Sequence, residues 1–77
     1  MRKHFAIARA LAAFPALRDR VEITIPGCPN SQGEVRGRCT VYGEEMCDVL
    51  LDDEKHTIVQ NVPADRIVGI VKRNGAA

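Results

Sequence analysis

The chain has 77 residues, a formal net charge of +1, three cysteines and no tryptophan. That length supports one domain with a modest core, and three cysteines cannot pair completely, which excludes a disulfide scaffold and points to reduced thiols in the cytoplasm. The aromatics are Phe5, Phe14 and Tyr42, so a binding face built from a row of stacked rings is excluded. Charge is unevenly distributed. Residues 1–20 carry Arg2, Lys3, Arg9, Arg18 and Arg20 against Asp19, a balance of +4. Residues 21–65 carry nine acids against Arg36, Arg38 and Lys55, and residues 66–77 add Arg66, Lys72 and Arg73. The middle is acidic and both ends are basic, so attraction to phosphates is expected from the ends.

The N-terminus opens Met1-Arg2-Lys3-His4, but Arg9 interrupts the apolar run that a secretory leader needs. No stretch approaches a membrane span. Residues 2–13 are rich in alanine and leucine, strong helix formers. His4, Ile7, Ala8, Leu11 and Ala12 fall on one side at helical spacing, with Arg2 and Arg9 opposite. Pro15 ends this helix near Ala13 or Phe14. Such a helix either covers one open end of the domain or presents a basic face to a partner.

From Arg20 the period changes to two. Val21, Ile23 and Ile25 alternate with Glu22 and Thr24, which predicts a half-buried strand. Pro26 to Gly33 is dense in turn residues and reads as a long irregular loop. Val35, Gly37, Cys39 and Val41 then alternate with Arg36, Arg38, Thr40 and Tyr42, a second strand with the first set inward. Gly43-Glu44-Glu45 makes a tight turn before a third strand, Met46 to Leu51, with Cys47, Val49 and Leu51 on one face. Asp52 to Lys55 is a charged turn, and His56 to Val62 a fourth strand. Pro63-Ala64-Asp65-Arg66 reads as one short helical turn, of 3-10 type, since proline is tolerated in a first turn. Ile67 to Val71 is an apolar final strand expected to be buried on both sides. The expected organisation is a helix and linker over 1–19, a β domain over 20–72 and a frayed tail over 73–77.

Five strands this short bury their apolar faces best by closing into a small barrel. The fold class is therefore mainly β, α+β by content. The order of elements over roughly residues 20–71, with a helical turn before the last strand, resembles the SH3-like barrel. The helix followed by Ala16-Leu17-Arg18-Asp19-Arg20-Val21 resembles the entry of the Sm-like RNA-binding family, which includes the bacterial host-factor riboregulators. Val35-Arg36-Gly37, Tyr42, Met46, Asp48, Val49, Leu51 and Asp52 resemble its first motif with one residue inserted, and Val62 to Ile70 stands in the place of its second. Gly43 replaces the family's usual turn aspartate, and Asn61-Val62-Pro63-Ala64 replaces the basic pair of its nucleotide pocket. The resemblance implies a homo-oligomeric module that binds RNA. RNA binding needs phosphate neutralisation and stacking, for which the chain offers Arg36, Arg38 and Tyr42 on the outer face of the second strand and the basic Arg2, Lys3 and Arg9.

A partial resemblance links Asp19-Arg20-Val21, Gln32-Gly33-Glu34-Val35 and Val59-Gln60 followed by Pro63 to the plasmid-borne type II dihydrofolate reductases. It implies a tetrameric enzyme with Gln60 in its pore, although the tyrosine of the family's pore segment is absent. The remaining reading is a protein–protein adaptor whose acidic face meets a basic segment. The chain reads as a non-catalytic binding module with no metal and no cofactor. Cys28, Cys39, Cys47 and His56 lack the paired spacing of zinc ligands. Cys39 and Cys47 read as small core residues, and Gly33 and Gly37 as points of close strand approach.

Overall fold

A computed structural model describes residues 14–74. They form five antiparallel strands: β1 (Arg20–Ile25), β2 (Cys28–Val41), β3 (Glu44–Leu51), β4 (Ile58–Pro63) and β5 (Ile67–Lys72). A 3-10 turn, Ala64–Arg66, precedes β5 as expected. The helix expected over 2–13 lies outside the described residues.

The strand order across the sheet is β4-β3-β2-β1-β5. This order has a geometric consequence. The sheet's two edge strands, β4 and β5, are joined by only the three residues of the 3-10 turn. In a flat sheet, edges four strand spacings apart lie about 19 Å from each other. Four Cα–Cα steps reach about 14 Å even when extended, and 3-10 geometry shortens them further. The sheet must therefore roll until its edges approach. Rolling encloses one face: Val21, Ile23, Val35, Cys47, Val49, Leu51, Val62 and Ile67 form a single buried cluster. Every strand contributes to it, and Phe14, Ile25, Val59, Ala64 and Ile70 pack around it.

Bulges that curve the sheet flank β1, at Ile23–Ile25 against β2 and at two places against β5, and also flank Asp48. On one side, Val35 pairs with Val49 and Gly37 with Asp48, leaving Arg36 as an extra residue in β2. On the other, Cys47 pairs with Val62 and Val49 with Val59, so Gln60 and Asn61 together oppose Asp48. Two bulges thus flank one residue, and bulges bend and twist the strands that carry them. Asn61 takes a φ of 56° there, a left-handed conformation that asparagine tolerates. Its N–H donates to Asp48 Oδ1 at 3.0 Å, and Cys39 Sγ contacts Asn61 Oδ1 at 3.4 Å. Gly33 has a different task. A Cβ there would collide with the Leu50 carbonyl oxygen and lie 2.7 Å from Val49 Cγ1, so β2 and β3 approach closely at a position only glycine fits.

The bulge at Arg36 corrects the expected facing of β2. Directly paired residues share a face. Val35 pairs with Val49 inside, but beyond the bulge Cys39 pairs with Met46, and Arg38 with buried Cys47. Gly37, Cys39 and Val41 therefore lie on the outer face and Arg38 on the core side. Cys39 is exposed, while Cys47 is buried as expected. The segment expected to be a long loop is also different. Pro26 and Gly27 (φ 78°) make a two-residue turn, and β2 already starts at Cys28. Pro29 is accommodated because β3 pairs with β2 only from Gly33 onward, so its missing N–H costs no ladder bond. Tyr42 and Gly43, both with positive φ, form the next hairpin turn. β5 is an edge strand paired with β1, so Val68 and Val71 are about half exposed, not buried on both sides.

The two ends of the described chain meet at Asp19. Its carboxylate is buried (2 % exposed). Oδ2 accepts the Ala16 N–H at 2.9 Å and Arg73 Nη1 at 3.2 Å, and Oδ1 accepts the Asn74 N–H at 2.7 Å. The Asp19 carbonyl accepts the Val35 N–H at 2.9 Å, and the Arg18 N–H donates to the Val35 carbonyl at 2.8 Å. One side chain thereby fastens the segment before β1 and the segment after β5, while its backbone joins β2. Burial alone would raise the pKa of Asp19. The N–H groups of Asn74 and Ala16 and the charge of Arg73 more than offset this and hold it below the ordinary 3.8.

A carboxyl whose pKa is lowered by folding stabilises the fold at pH above its unfolded value. That stabilisation is lost as pH falls through the lower folded value. Thermal melts should therefore show stability dropping below pH 4. Asp19→Asn should melt lower at pH 7 and lose much of that acid dependence. Asp19→Ala should cost about 2–3 kcal/mol in urea denaturation, from lost bonds to a charged acceptor.

Candidate functional site

The outer face of the sheet carries a row set by register. Lys72 pairs with Arg20, Arg20 with Glu34, Glu34 with Leu50, and Leu50 with Ile58. At the β5 end of this row lies an open cleft of about 290 Å³, lined by Arg18, Arg20, Glu34, Lys72, Arg73 and Asn74. Four of these six residues are cations, two from the chain before or at the start of β1 and two from the end of β5. The Asp19 clasp beneath brings them together.

The charges are not equally available. Arg20 pairs with Asp52. Arg73 bonds to Asp19. Glu34 Oε1 lies 3.6 Å from Arg36 Nη1. Arg18 and Lys72 make no ion pair among the described residues. Arg18 also has a φ of 73°. It stands third in a turn closed by the Asp19 N–H on the Ala16 carbonyl at 3.1 Å, a position that favours glycine. The two Val35 backbone bonds hold this unfavourable conformation in place.

The residues expected to contact RNA do not form one surface. Arg36 is not part of the cleft lining and reaches it only through its ion pair with Glu34. Arg38 is on the core-side face, where its guanidinium lies 5.6 Å from the centroid of the Phe14 ring and pairs with Glu45. Tyr42 is fully exposed at the tip of the β2–β3 hairpin. Arg2, Lys3 and Arg9 lie outside the described residues. Gln60 is exposed on edge strand β4, within the bulge opposite Asp48. In the sequence, Arg18, Arg20, Lys72 and Arg73 stand out only as charge near the two termini. The signal for their convergence is the strand order, which seats β5 beside β1.

The remaining reactive groups, Cys47 and His56, lie apart from one another, one buried and the other exposed. Burial, reinforced by the charge of Asp48 and partly offset by Arg38, pushes the Cys47 thiol up to about 11, which disfavours the nucleophilic thiolate. His56 is exposed in the β3–β4 turn with a φ of 54°. Asp53 organises that turn: its carboxylate accepts Thr57 Oγ1 at 2.7 Å and the Thr57 N–H at 2.9 Å. These bonds, the side-chain one first, lower its pKa. Among the described residues no group of three or more His, Cys, Asp or Glu could hold a metal ion. Among them, too, no helix is long and apolar enough to cross a membrane.

Comparison with protein-family models, with curated proteins and with solved structures finds no match to this chain. The cleft and the sheet that builds it are therefore the guides to function.

Proposed function

We propose that this chain is a small barrel of the SH3-like, Sm-like kind that binds RNA through the basic cleft between the ends of β1 and β5. The observation that carries this reading is the convergence of Arg18, Arg20, Lys72 and Arg73 around one cleft on a domain whose other charged turns are acidic. Neutralising phosphates supplies much of the affinity of proteins for nucleic acids. The cleft is lined mainly by charge, which favours an anion over an apolar cofactor. The barrel assignment is supported by the strand order, the rolling that the short β4–β5 connection imposes, and the 3-10 turn before the last strand. An adaptor reading draws on the acidic hairpins at Glu44-Glu45 and Asp52-Asp53-Glu54, although Arg38 and Arg20 already pair with Glu45 and Asp52.

Fluorescence anisotropy with a labelled single-stranded RNA tests the proposal. Binding should weaken with salt at a log–log slope of about −1.4 to −2.1, as for two to three phosphate contacts. Lys72→Glu should reduce affinity at least tenfold. Arg36→Glu should reduce it less, and Arg38→Glu should have little effect because that side chain belongs to another face. Salt-independent binding, or a Lys72→Glu variant with unchanged affinity, would contradict the cleft assignment.

The edges of β4 and β5 carry no partner strand among the described residues, and unpaired edges invite pairing with another copy. Light scattering behind a sizing column should give a closed ring, with six or seven copies expected for the Sm-like reading. A tetramer would turn attention to the reductase reading and to Gln60. A monomer would favour the adaptor.

A further inference from the structure

We infer that the cleft recognises a terminal phosphomonoester, the phosphorylated end of an RNA, rather than an internal run of the backbone. The inference rests on the RNA reading and adds which part of the molecule the cleft takes. Three observations support it.

The first is charge matching. Asp52 compensates Arg20, Glu34 compensates Arg36, and Asp19 bonds to Arg73. Arg18 and Lys72, which both line the cleft, make no ion pair among the described residues. An internal phosphodiester brings one negative charge. A phosphomonoester brings about −1.5 to −2 at pH 7 and three acceptor oxygens, which matches two cations.

The second is the surroundings. A strand of phosphates running on across the outer face meets Glu22, the next outward residue of β1 after Arg20, and then Gln32 paired to it. Asp52 and Asp53 follow, lining a neighbouring hollow with Ser31, Gln32 and Leu51. With Asp52 already paired to Arg20, the carboxylates of Glu22 and Asp53 make no ion pair among the described residues and repel a continuing backbone, so the favourable potential is confined to one spot.

The third is strain. Arg18 occupies a glycine-type conformation, and non-glycine residues held there cost free energy and gather at ligand-binding positions. Arg18 itself lines the cleft, and an arginine there supplies the charge that a glycine could not.

The test compares one RNA sequence with a 5′-phosphate, a 3′-phosphate, or hydroxyls at both ends, with inorganic phosphate as competitor. One of the phosphorylated forms should bind at least tenfold more tightly than the hydroxyl form. The preference should shrink as pH falls through about 6, where a monoester loses its second charge. Arg18→Asn, which keeps a residue tolerant of the left-handed conformation, and Lys72→Gln should each abolish the preference without lowering the melting temperature. Glu34→Gln should strengthen binding of the phosphorylated end several-fold by removing the acid from the cleft. Equal binding of all three RNAs, still weakened by Lys72→Gln, would overturn end recognition and leave the RNA reading standing. Inorganic phosphate titrated directly, shifting the backbone amide resonances of Arg18 and Lys72 while no RNA binds, would support a monoester site and overturn RNA as its source. Absence of both would overturn both.

Discussion

A buried carboxylate with three donors on it organises the ends of this small domain. Asp19 holds the Ala16 and Asn74 N–H groups and the Arg73 guanidinium. The same residue joins β2 through its backbone. Burying a charge without partners would be costly. With these partners the arrangement favours the ionised form. The consequence is positional. Arg18 and Arg20 on one side and Lys72 and Arg73 on the other cannot drift apart while the clasp is closed, so a basic cleft exists where like charges would otherwise separate.

The clasp acts on a sheet that is already rolled. The three-residue link between opposite edges leaves no flat alternative. The bulges along β1 and around Asp48 supply the local bends, and Gly33 supplies the close approach of β2 to β3. With one enclosed apolar cluster and no second layer among the described residues, the domain has a small core for its surface. Such domains have little stability to spare, which gives each polar fastening a large share of the total.

Much of the fold is legible in the sequence, and what is not has a common cause. The five strands, the 3-10 turn and the buried Cys47, Val49 and Leu51 follow from alternation, turn residues and proline placement. The facing of Gly37, Cys39 and Val41 does not, because alternation counts residues and a bulge inserts one. Nothing in Val35-Arg36-Gly37 announces that Arg36 is the extra residue. The exposure of Val68 and Val71 is hidden because an apolar run does not say whether a strand has one neighbour or two. In the sequence Asp19 is only one acid within a basic segment. Its role needs Ala16, Val35, Arg73 and Asn74, contacts that span the whole described chain. The cleft is half visible: the basic ends are clear in the charge distribution, but their meeting depends on β5 lying against β1.

The most direct test of the Asp19 clasp follows the backbone amides of Ala16 and Asn74 by NMR through an acid titration of the folded protein. Both N–H groups donate to one carboxylate, so both resonances should move together, with a single midpoint below 3.8, the ordinary value for Asp19. Loss of both shifts in Asp19→Asn would complete the assignment. Separate midpoints, or a midpoint at or above the ordinary value, would contradict a shared clasp, and with it the explanation for how the two basic ends are held together.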